Sequence, residues 1–215
     1  MTGTLIINNL AGLLIISSLL VIGAKQPKNS AIFYGIQSLV LVLIFVALAK
    51  TMGAVELYAW SFTAFITKVV LVPLIMYRAL GSLKDDKAVS CLGTGSLLFI
   101  AAIIVILSYQ VVSTVQIPMV EELKPALGVS LGHFFLGLLC IVSQRNILKQ
   151  IFGYCLMENG AHLTLALMAN QAPKLVEIGI ATDAIFAVVI MTFFARRIYR
   201  MLNSLDVKQL TALKG

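Results

Sequence analysis

Seven long apolar runs, separated by short polar stretches, make up most of the 215-residue chain. They cover residues 4–24, 30–49, 55–77, 91–112, 125–142, 147–168 and 175–195. Each run is close to the ~20 residues that an α-helix needs to cross the hydrocarbon core of a bilayer. The pattern therefore predicts an all-α, polytopic membrane protein with about seven transmembrane helices.

The composition agrees with this prediction and limits the chemistry of the chain. Hydrophobic residues make up 60% of the chain and charged residues 12%, whereas soluble domains carry about 25% charged residues. Little chain remains between the runs to form a soluble domain that could hold a cofactor, so we expect none. The three cysteines, Cys91, Cys140 and Cys155, lie in or at apolar runs and lack the spacing of a metal site. We therefore expect no metal site. The sequence also shows no nucleophile–base pair and no phosphate loop, so we expect no catalytic residues.

The connections between the runs predict how the chain is organised. The segment 116–124 separates an amino-terminal part of four helices, residues 1–115, from a part of three helices, residues 125–195. Proline is favoured in the first turn of a helix, so Pro125 marks the start of the second part. The four residues 143–146 predict a tight antiparallel hairpin of the fifth and sixth helices. Residues 196–215 form either an amphipathic helix at the cytoplasmic interface or a frayed tail.

The net charge of +7 is a signal of topology. If the amino terminus is periplasmic, three basic residues fall outside, and Lys68 lies within a run. Cytoplasmic loops carry an excess of Lys and Arg, so this assignment predicts a periplasmic amino terminus, a cytoplasmic carboxy terminus and no nucleic-acid partner. The twelve residues that fall inside are Lys25, Lys28, Arg78, Lys84, Lys87, Arg145, Lys149, Arg196, Arg197, Arg200, Lys208 and Lys214, and the three outside are Lys50, Lys124 and Lys174.

Five ionisable side chains lie well inside the apolar runs: Lys68, His133, Glu158, His162 and Asp183. A charged side chain at the bilayer centre costs at least ~2.5–3.5 kcal/mol and usually faces a protein interior or water. At 1.5 Å per residue, Glu158 lies about 16 Å, and Asp183 about 12 Å, from the start of its run. The five residues thus predict a polar layer halfway through the bilayer, suited to a lateral proton path.

These side chains also have structural interpretations. Glu158 and His162 are four residues apart and can satisfy each other on one helix face. Gly132 and Gly137 suggest close helix packing around His133.

Pro73 points to a special environment for Lys68. Proline has no N–H to donate to the carbonyl of Val69, one residue from Lys68. This predicts a kink, and a place for water to enter the helix, beside a buried cation.

Longer motifs resemble known membrane subunits. Residues 146–160, together with the helix that carries Asp183, resemble NuoK of respiratory complex I and the MrpC subunit of sodium/proton antiporters. A resemblance to the HyfE family of hydrogenase-4 membrane subunits runs from end to end. It rests on motifs that include Asn8-Asn9-Leu-Ala-Gly12, Ala64-Phe-Ile-Thr-Lys68, Leu71-Val-Pro73, Leu131-Gly-His133, Ser143-Gln-Arg-Asn146 and Ile178-Gly-Ile-Ala-Thr-Asp183.

The resemblance to HyfE implies a non-catalytic subunit of an oxidoreductase complex, a group 4 nickel–iron hydrogenase of the formate hydrogenlyase type. It implies the bacterial inner membrane as the location. The implied partners are antiporter-like membrane subunits, a cytoplasmic hydrogenase arm with iron–sulfur clusters, and the lipid bilayer.

The acids differ from the NuoK pattern. The first essential glutamate of NuoK follows the motif glycine by two residues, a position that is Cys155 here, whereas this chain has Glu158. Three residues correspond to a rise of about 4.5 Å and a rotation of about 60°. The resemblance therefore implies the role of the NuoK glutamate for Glu158, but with different neighbouring side chains. Asp183 occupies the second NuoK-type position.

Several functions remain open at this point. The buried residues can form part of a proton path, or they can only fix helix packing in a structural subunit. An antiporter component that passes sodium ranks lower, because hard cations need several oxygen ligands. An independent electron-transfer enzyme is least favoured, since the sequence has no haem, cluster or flavin motif.

Overall fold

The computed structural model describes residues 2–81, 90–172 and 174–212. Over these ranges the predicted all-α architecture is confirmed. Lys84, Lys87 and Lys214 of the predicted cytoplasmic charge lie outside the described residues. The seven long helices are α1 (Thr2–Gly23), α2 (Pro27–Met52), α3 (Glu56–Gly81), α4 (Thr94–Thr114), α5 (Lys124–Ser143), α6 (Ile147–Met168) and α7 (Lys174–Leu202).

Helix α6 differs from the other six, which are each long and apolar enough to cross a membrane. It has the length of a span, 22 residues, but carries Lys149, Glu158, Asn159 and His162. Thirteen of its residues are buried, so its polar side chains face neighbouring helices and not lipid. The chain therefore tolerates a polar helix here because the rest of the bundle surrounds it.

Helices α5 and α6 form the predicted tight hairpin, and glycines set their separation. A Cβ atom at Gly137 would overlap the backbone nitrogen of Met157, and one at Gly160 would lie 2.5 Å from the backbone nitrogen of Phe134. Small residues let transmembrane helix backbones approach closely. The predicted close packing near His133 is therefore confirmed at Gly137.

The buried apolar side chains form two clusters, which we name after Phe45 and Phe152. Six helices pass from one cluster to the other, and each carries a buried polar side chain at the crossing. In α4 this residue is Ser108, between Ala101 and Val112. The other five helices follow the same pattern. The flanking pairs, with the polar residue between them, are Leu14 and Val21 around Ser18, Leu41 and Tyr34 around Gln37, Ala64 and Val72 around Lys68, Leu127 and Leu136 around His133, and Leu163 and Leu156 around Asn159. Lys68 and His133 of the predicted polar layer therefore lie between two apolar clusters, together with neutral polar side chains.

The residues after α7 dock against the connection between α5 and α6. The chain turns at Asn203, whose φ is 52°, and the Leu205 side chain is fully buried. The Leu205 carbonyl accepts the N–H of Ile147 at 3.0 Å, and the N–H of Val207 donates to the Arg145 carbonyl at 2.9 Å. Arg196, Arg197 and Arg200 belong to α7, which ends at Leu202, and Val207–Ala212 form a separate short 3-10 helix. The segment predicted to be an amphipathic helix or a frayed tail is therefore divided between the end of α7 and a docked turn.

A salt bridge between Arg145 and Asp206 also holds the residues after α7 against the connection between α5 and α6. The hydrogen bond from the Arg145 guanidinium lowers the pKa of the Asp206 carboxyl below its ordinary value of 3.8. The ionised carboxylate is therefore the form that favours docking.

We expect Gly137→Ala to destabilise the protein by about 1–3 kcal/mol, because the added methyl group forces α5 and α6 apart. The matched control is Gly12→Ala, since a Cβ atom at Gly12 of α1 would meet nothing within 4 Å. The thermal midpoint in detergent should fall for the Gly137 variant and stay near the parent value for the Gly12 variant. Equal midpoints for the two variants would contradict the packing described.

Docking of the tail should depend on pH with a defined sign. Because the Asp206 pKa is lowered in the folded state, its contribution is complete above pH 3.8 and is lost as pH falls through the lowered pKa. Hydrogen exchange at the Val207 amide should accelerate over that acidic range. Asp206→Asn should accelerate it already at neutral pH, and Glu121→Gln, at an exposed acid, should not.

Candidate proton-transfer site

Lys68 lies in an irregular part of α3. Residues Phe65–Leu71 form a π-helix, in which the N–H of Val72 donates to the carbonyl of Thr67, five residues earlier. The next residue is Pro73, which has no N–H to continue the regular ladder. π-Helical turns are rare and frequently occur at functional sites. Where the sequence predicts a kink, the structure has a π-helical segment that contains Lys68.

The ammonium of Lys68 is held by two consecutive residues of α6. Its Nζ lies 2.7 Å from Glu158 Oε1 and 2.8 Å from Asn159 Oδ1. The exposed fraction of the side chain is 1% for Lys68 and 12% for Glu158. A buried charge without a partner costs several kcal/mol, so the pair explains how the bundle accommodates a cation at this depth.

Hydrogen bonds continue from this pair across the bundle. Asn159 Nδ2 donates to Gln37 Oε1 at 2.8 Å and to Ser38 Oγ at 3.3 Å. Gln37 Nε2 lies 3.1 Å from His133 Nε2, and His133 Nδ1 lies 2.6 Å from Ser18 Oγ. We call the connected set the polar chain: Glu158, Lys68, Asn159, Gln37, His133 and Ser18.

The hydrogen bonds of the polar chain have one direction. Gln37 accepts with its oxygen, so its amide nitrogen donates to His133 Nε2, which must be the unprotonated ring nitrogen. The Nδ1–H of His133 then donates to Ser18, whose hydroxyl donates to the Leu14 carbonyl at 2.5 Å. Starting at Lys68, each member donates to the next, an arrangement in which neighbouring hydrogen bonds polarise one another.

His162 lies outside the polar chain. Neither ring nitrogen has a hydrogen-bond partner among the described residues, and the ring packs 4.8 Å from Phe45 and 5.3 Å from Trp60, between centroids. The interpretation in which Glu158 and His162 satisfy each other is therefore wrong. The two residues are close in sequence, but the Glu158 carboxylate binds Lys68, whereas the His162 imidazole packs against aromatic rings.

Asp183 is also separate from the polar chain. Its side chain is exposed on α7, and Tyr154 donates its hydroxyl to Asp183 Oδ2 at 3.4 Å. Tyr154 stands four residues before Glu158 on α6, and residues at this spacing share a helix face. Tyr154 therefore connects α7 to the face of α6 that carries Glu158.

Three members of the polar chain escaped the sequence analysis, namely Ser18, Gln37 and Asn159. All three are fully buried, and two of them are carboxamides. A search for ionisable residues passes over neutral amides, although a buried amide needs hydrogen-bond partners as well. One of these residues could have been found from the sequence, because Gln37 is a large polar side chain within the apolar run 30–49.

Lys149, which the sequence analysis counted only as a topological charge, has a structural role. Its side chain is fully buried, and its Nζ donates to the carbonyls of Val21, Ile22 and Ala24 at 2.5, 3.0 and 3.1 Å, and to Ser30 Oγ at 2.8 Å. The last carbonyls of a helix have no partner within it, and a lysine can satisfy them. Lys149 thus ties the end of α1 to α6.

Glu177 is a further buried acid that the sequence analysis did not select. It lies in the first turn of α7, where a negative charge is favourable, and 8% of its surface is exposed. Thr63 of α3 donates its hydroxyl to the Glu177 carboxylate. Glu177 therefore fastens α7 to α3 five residues from Lys68.

Comparison with known proteins agrees with this architecture. The chain is 58% identical over 216 residues to hydrogenase-4 component E of Escherichia coli (strain K12), with all of both chains covered. The same identity and coverage hold for hydrogenase-4 component E of Shigella flexneri. The chain belongs to the hydrogenase-4 component E family. A relative from Mycobacterium tuberculosis, an uncharacterized protein, is 22% identical over 154 residues, which is 68% of each chain.

A second family is similar to only part of the chain. Residues 125–215 match NADH-ubiquinone/plastoquinone oxidoreductase chain 4L, the family to which the resemblance to NuoK pointed. This region contains α5 to α7, with His133, Glu158 and Asp183, whereas Lys68 lies in the amino-terminal helices. The polar chain therefore connects the matched region of this component E family member to its amino-terminal helices. No solved structure matches the chain.

The two histidines should respond differently to the same substitution. His133→Leu leaves Ser18 and Gln37 without their partner and should destabilise the protein by about 1–3 kcal/mol. His162→Leu removes two ring nitrogens that have no partner among the described residues, so it should be close to neutral or stabilising. Thermal unfolding of both variants in detergent tests this. A larger loss for the His162 variant would show that its ring has a polar role.

Proposed function

We propose that this chain is a membrane subunit of a bacterial hydrogenase complex in the inner membrane, and that its polar chain forms a lateral part of a proton-translocation path. Membership of the component E family supports the hydrogenase assignment. The observation that carries the proton path is the buried Lys68–Glu158 pair, continued by hydrogen bonds to His133. The partners in this proposal are antiporter-like membrane subunits and a cytoplasmic hydrogenase arm with iron–sulfur clusters.

The pair can couple the arrival of one proton to the departure of another. A proton that binds the Glu158 carboxylate removes the negative charge that stabilises the Lys68 ammonium 2.7 Å away. A buried charge that loses its partner is destabilised by about 3–5 kcal/mol. Loss of that charge favours transfer of the Lys68 proton to another acceptor, so the two proton movements are coupled. One proton enters at Glu158 and one leaves from Lys68.

The amides between Lys68 and His133 hold this unit in place. Asn159 and Gln37 have no titratable proton, so they orient their neighbours by hydrogen bonding. His133 Nε2, which accepts from Gln37, has a lone pair that can take a proton when the amide of Gln37 rotates or water enters. The π-helical segment and Pro73 interrupt the regular ladder beside Lys68, and such interruptions in membrane helices admit water.

A structural subunit is the second candidate, and one observation favours it. Each member of the polar chain has a hydrogen-bond partner, and a satisfied buried network can serve to specify a unique packing. In that case the charges only keep five helices in register.

Replacement of both charges separates these candidates. The single variants Lys68→Met and Glu158→Leu each leave one buried group without its partner and should destabilise the complex. The double variant Lys68→Met/Glu158→Leu removes both charges, which is often neutral for stability. We expect the double variant to assemble and to turn over hydrogen while proton transport into inverted vesicles, measured with a pH-sensitive dye, is lost.

The structural candidate makes the opposite prediction for the double variant, which is an unchanged ratio of transported protons to turnover. Glu158→Gln, which keeps the shape and a hydrogen-bond acceptor, should also lower that ratio if protons pass through this pair. The matched control is Glu121→Gln, because Glu121 is an acid with a 63% exposed side chain, paired with Lys124. Unchanged coupling in both the double variant and Glu158→Gln would refute the proton path.

A further inference from the structure

The exposure of Asp183 is in conflict with a lipid environment. Asp183 stands nine residues after the start of α7, a depth of about 13–14 Å, and its side chain is exposed on this chain. A charged side chain at the bilayer centre costs at least ~2.5–3.5 kcal/mol. Tyr154 donates to only one of its oxygens, although an ionised carboxylate can accept about four hydrogen bonds.

The residues around Asp183 form an open helix face. In the 18-residue apolar stretch of α7, only 22% is buried within this chain. Gly179, Asp183, Phe186 and Ile190 follow one another at helical spacing, and all four are exposed. We call these four residues the Asp183 face. Its centre is acidic and its remainder is apolar.

Gly179 makes this face suitable for another helix. A Cβ atom at Gly179 would meet nothing within 4 Å, whereas Gly137, Gly153 and Gly160 are in close contact with a neighbouring helix. Glycines on transmembrane helices commonly permit close helix approach. Gly179 therefore leaves a notch one turn from Asp183 that no described residue fills.

We propose that the Asp183 face is covered by a transmembrane helix of a neighbouring membrane subunit, and that this helix carries a lysine or arginine at the depth of Asp183. Such a cation completes the hydrogen bonding of the carboxylate and removes the unfavourable exposure to lipid. The notch at Gly179 admits the partner backbone, and Phe186 and Ile190 supply the apolar contact. The inference rests on membership of a membrane complex and does not require proton conduction.

A second copy of this chain fits the face poorly. In a twofold dimer the same patch meets itself, so Asp183 would face the Asp183 of the other copy. Among the described residues, Lys68 is buried and paired, and Arg196 lies thirteen residues further along α7, a distance of about 20 Å. Neither can reach the carboxylate of another copy at mid-depth.

Photo-crosslinking in the intact complex tests the proposal. A benzoylphenylalanine at position 186 replaces an exposed aromatic residue with a larger one, in the full chain in its native membrane. Irradiation should join it to another membrane subunit, and mass spectrometry should find the adduct in a transmembrane peptide that contains Lys or Arg. With Asp183→Lys in the same chain, the adduct yield should fall about tenfold or more through repulsion of like charges. Asp183→Asn should give an intermediate yield.

Controls and contrary outcomes are well separated. Glu121→Lys reverses the charge of an exposed acid elsewhere and should leave the adduct yield unchanged. An adduct with a second copy, an adduct with lipid alone, or a partner peptide without Lys or Arg would overturn the proposal. Equal adduct yields for the parent chain, Asp183→Asn and Asp183→Lys would overturn it as well. If Asp183→Lys fails to accumulate, the proposal is tested by the adduct yield of the near-isosteric Asp183→Asn and by the identity of the crosslinked subunit. Proton transport is not part of this readout, so the proton path is judged separately by the Lys68 and Glu158 variants.

Discussion

The need to stabilise one lysine ammonium in the middle of a helix bundle governs this structure. Lys68 is almost fully buried, so it requires a negative charge and further acceptors at the same depth, and α6 supplies both in Glu158 and Asn159. Satisfying Asn159 then requires Gln37, and satisfying Gln37 brings in His133. Each buried polar group needs a partner, and with the contact between His133 and Ser18 of α1 one charge determines the polar contacts of four further helices.

The apolar parts of the bundle keep this network enclosed. The clusters around Phe45 and Phe152 lie on either side of the polar chain, and a low local dielectric strengthens each hydrogen bond between them. Glycine contacts hold α5 directly against α6, and Lys149 ties α6 to the end of α1. The separation of α5 and α6, which carry His133 and Asn159, is therefore set by glycine contacts close to the polar chain itself.

Asp183 differs from Lys68 in where its partners lie. Lys68 finds its partners within the chain, while Asp183 remains exposed apart from the hydroxyl of Tyr154. A protein that needs only its own fold has no reason to leave a carboxylate at this depth on its surface. The enclosed pair and the exposed acid thus give α6 an internal polar site and α7 an exposed acidic surface.

The sequence by itself determined the helices, the hairpin of α5 and α6, an irregularity near Pro73 and the position of each ionisable residue along its helix. Each of these depends on local pattern: length of an apolar run, length of a loop, a missing N–H, or a count of residues along a helix. Only the tertiary structure decided which side chains meet. Glu158 pairs with Lys68 instead of His162, Lys149 caps α1, and neutral Gln37 and Asn159 connect the charges, because partners that are distant in sequence are selected by how the helices rotate and pack, which no local pattern specifies.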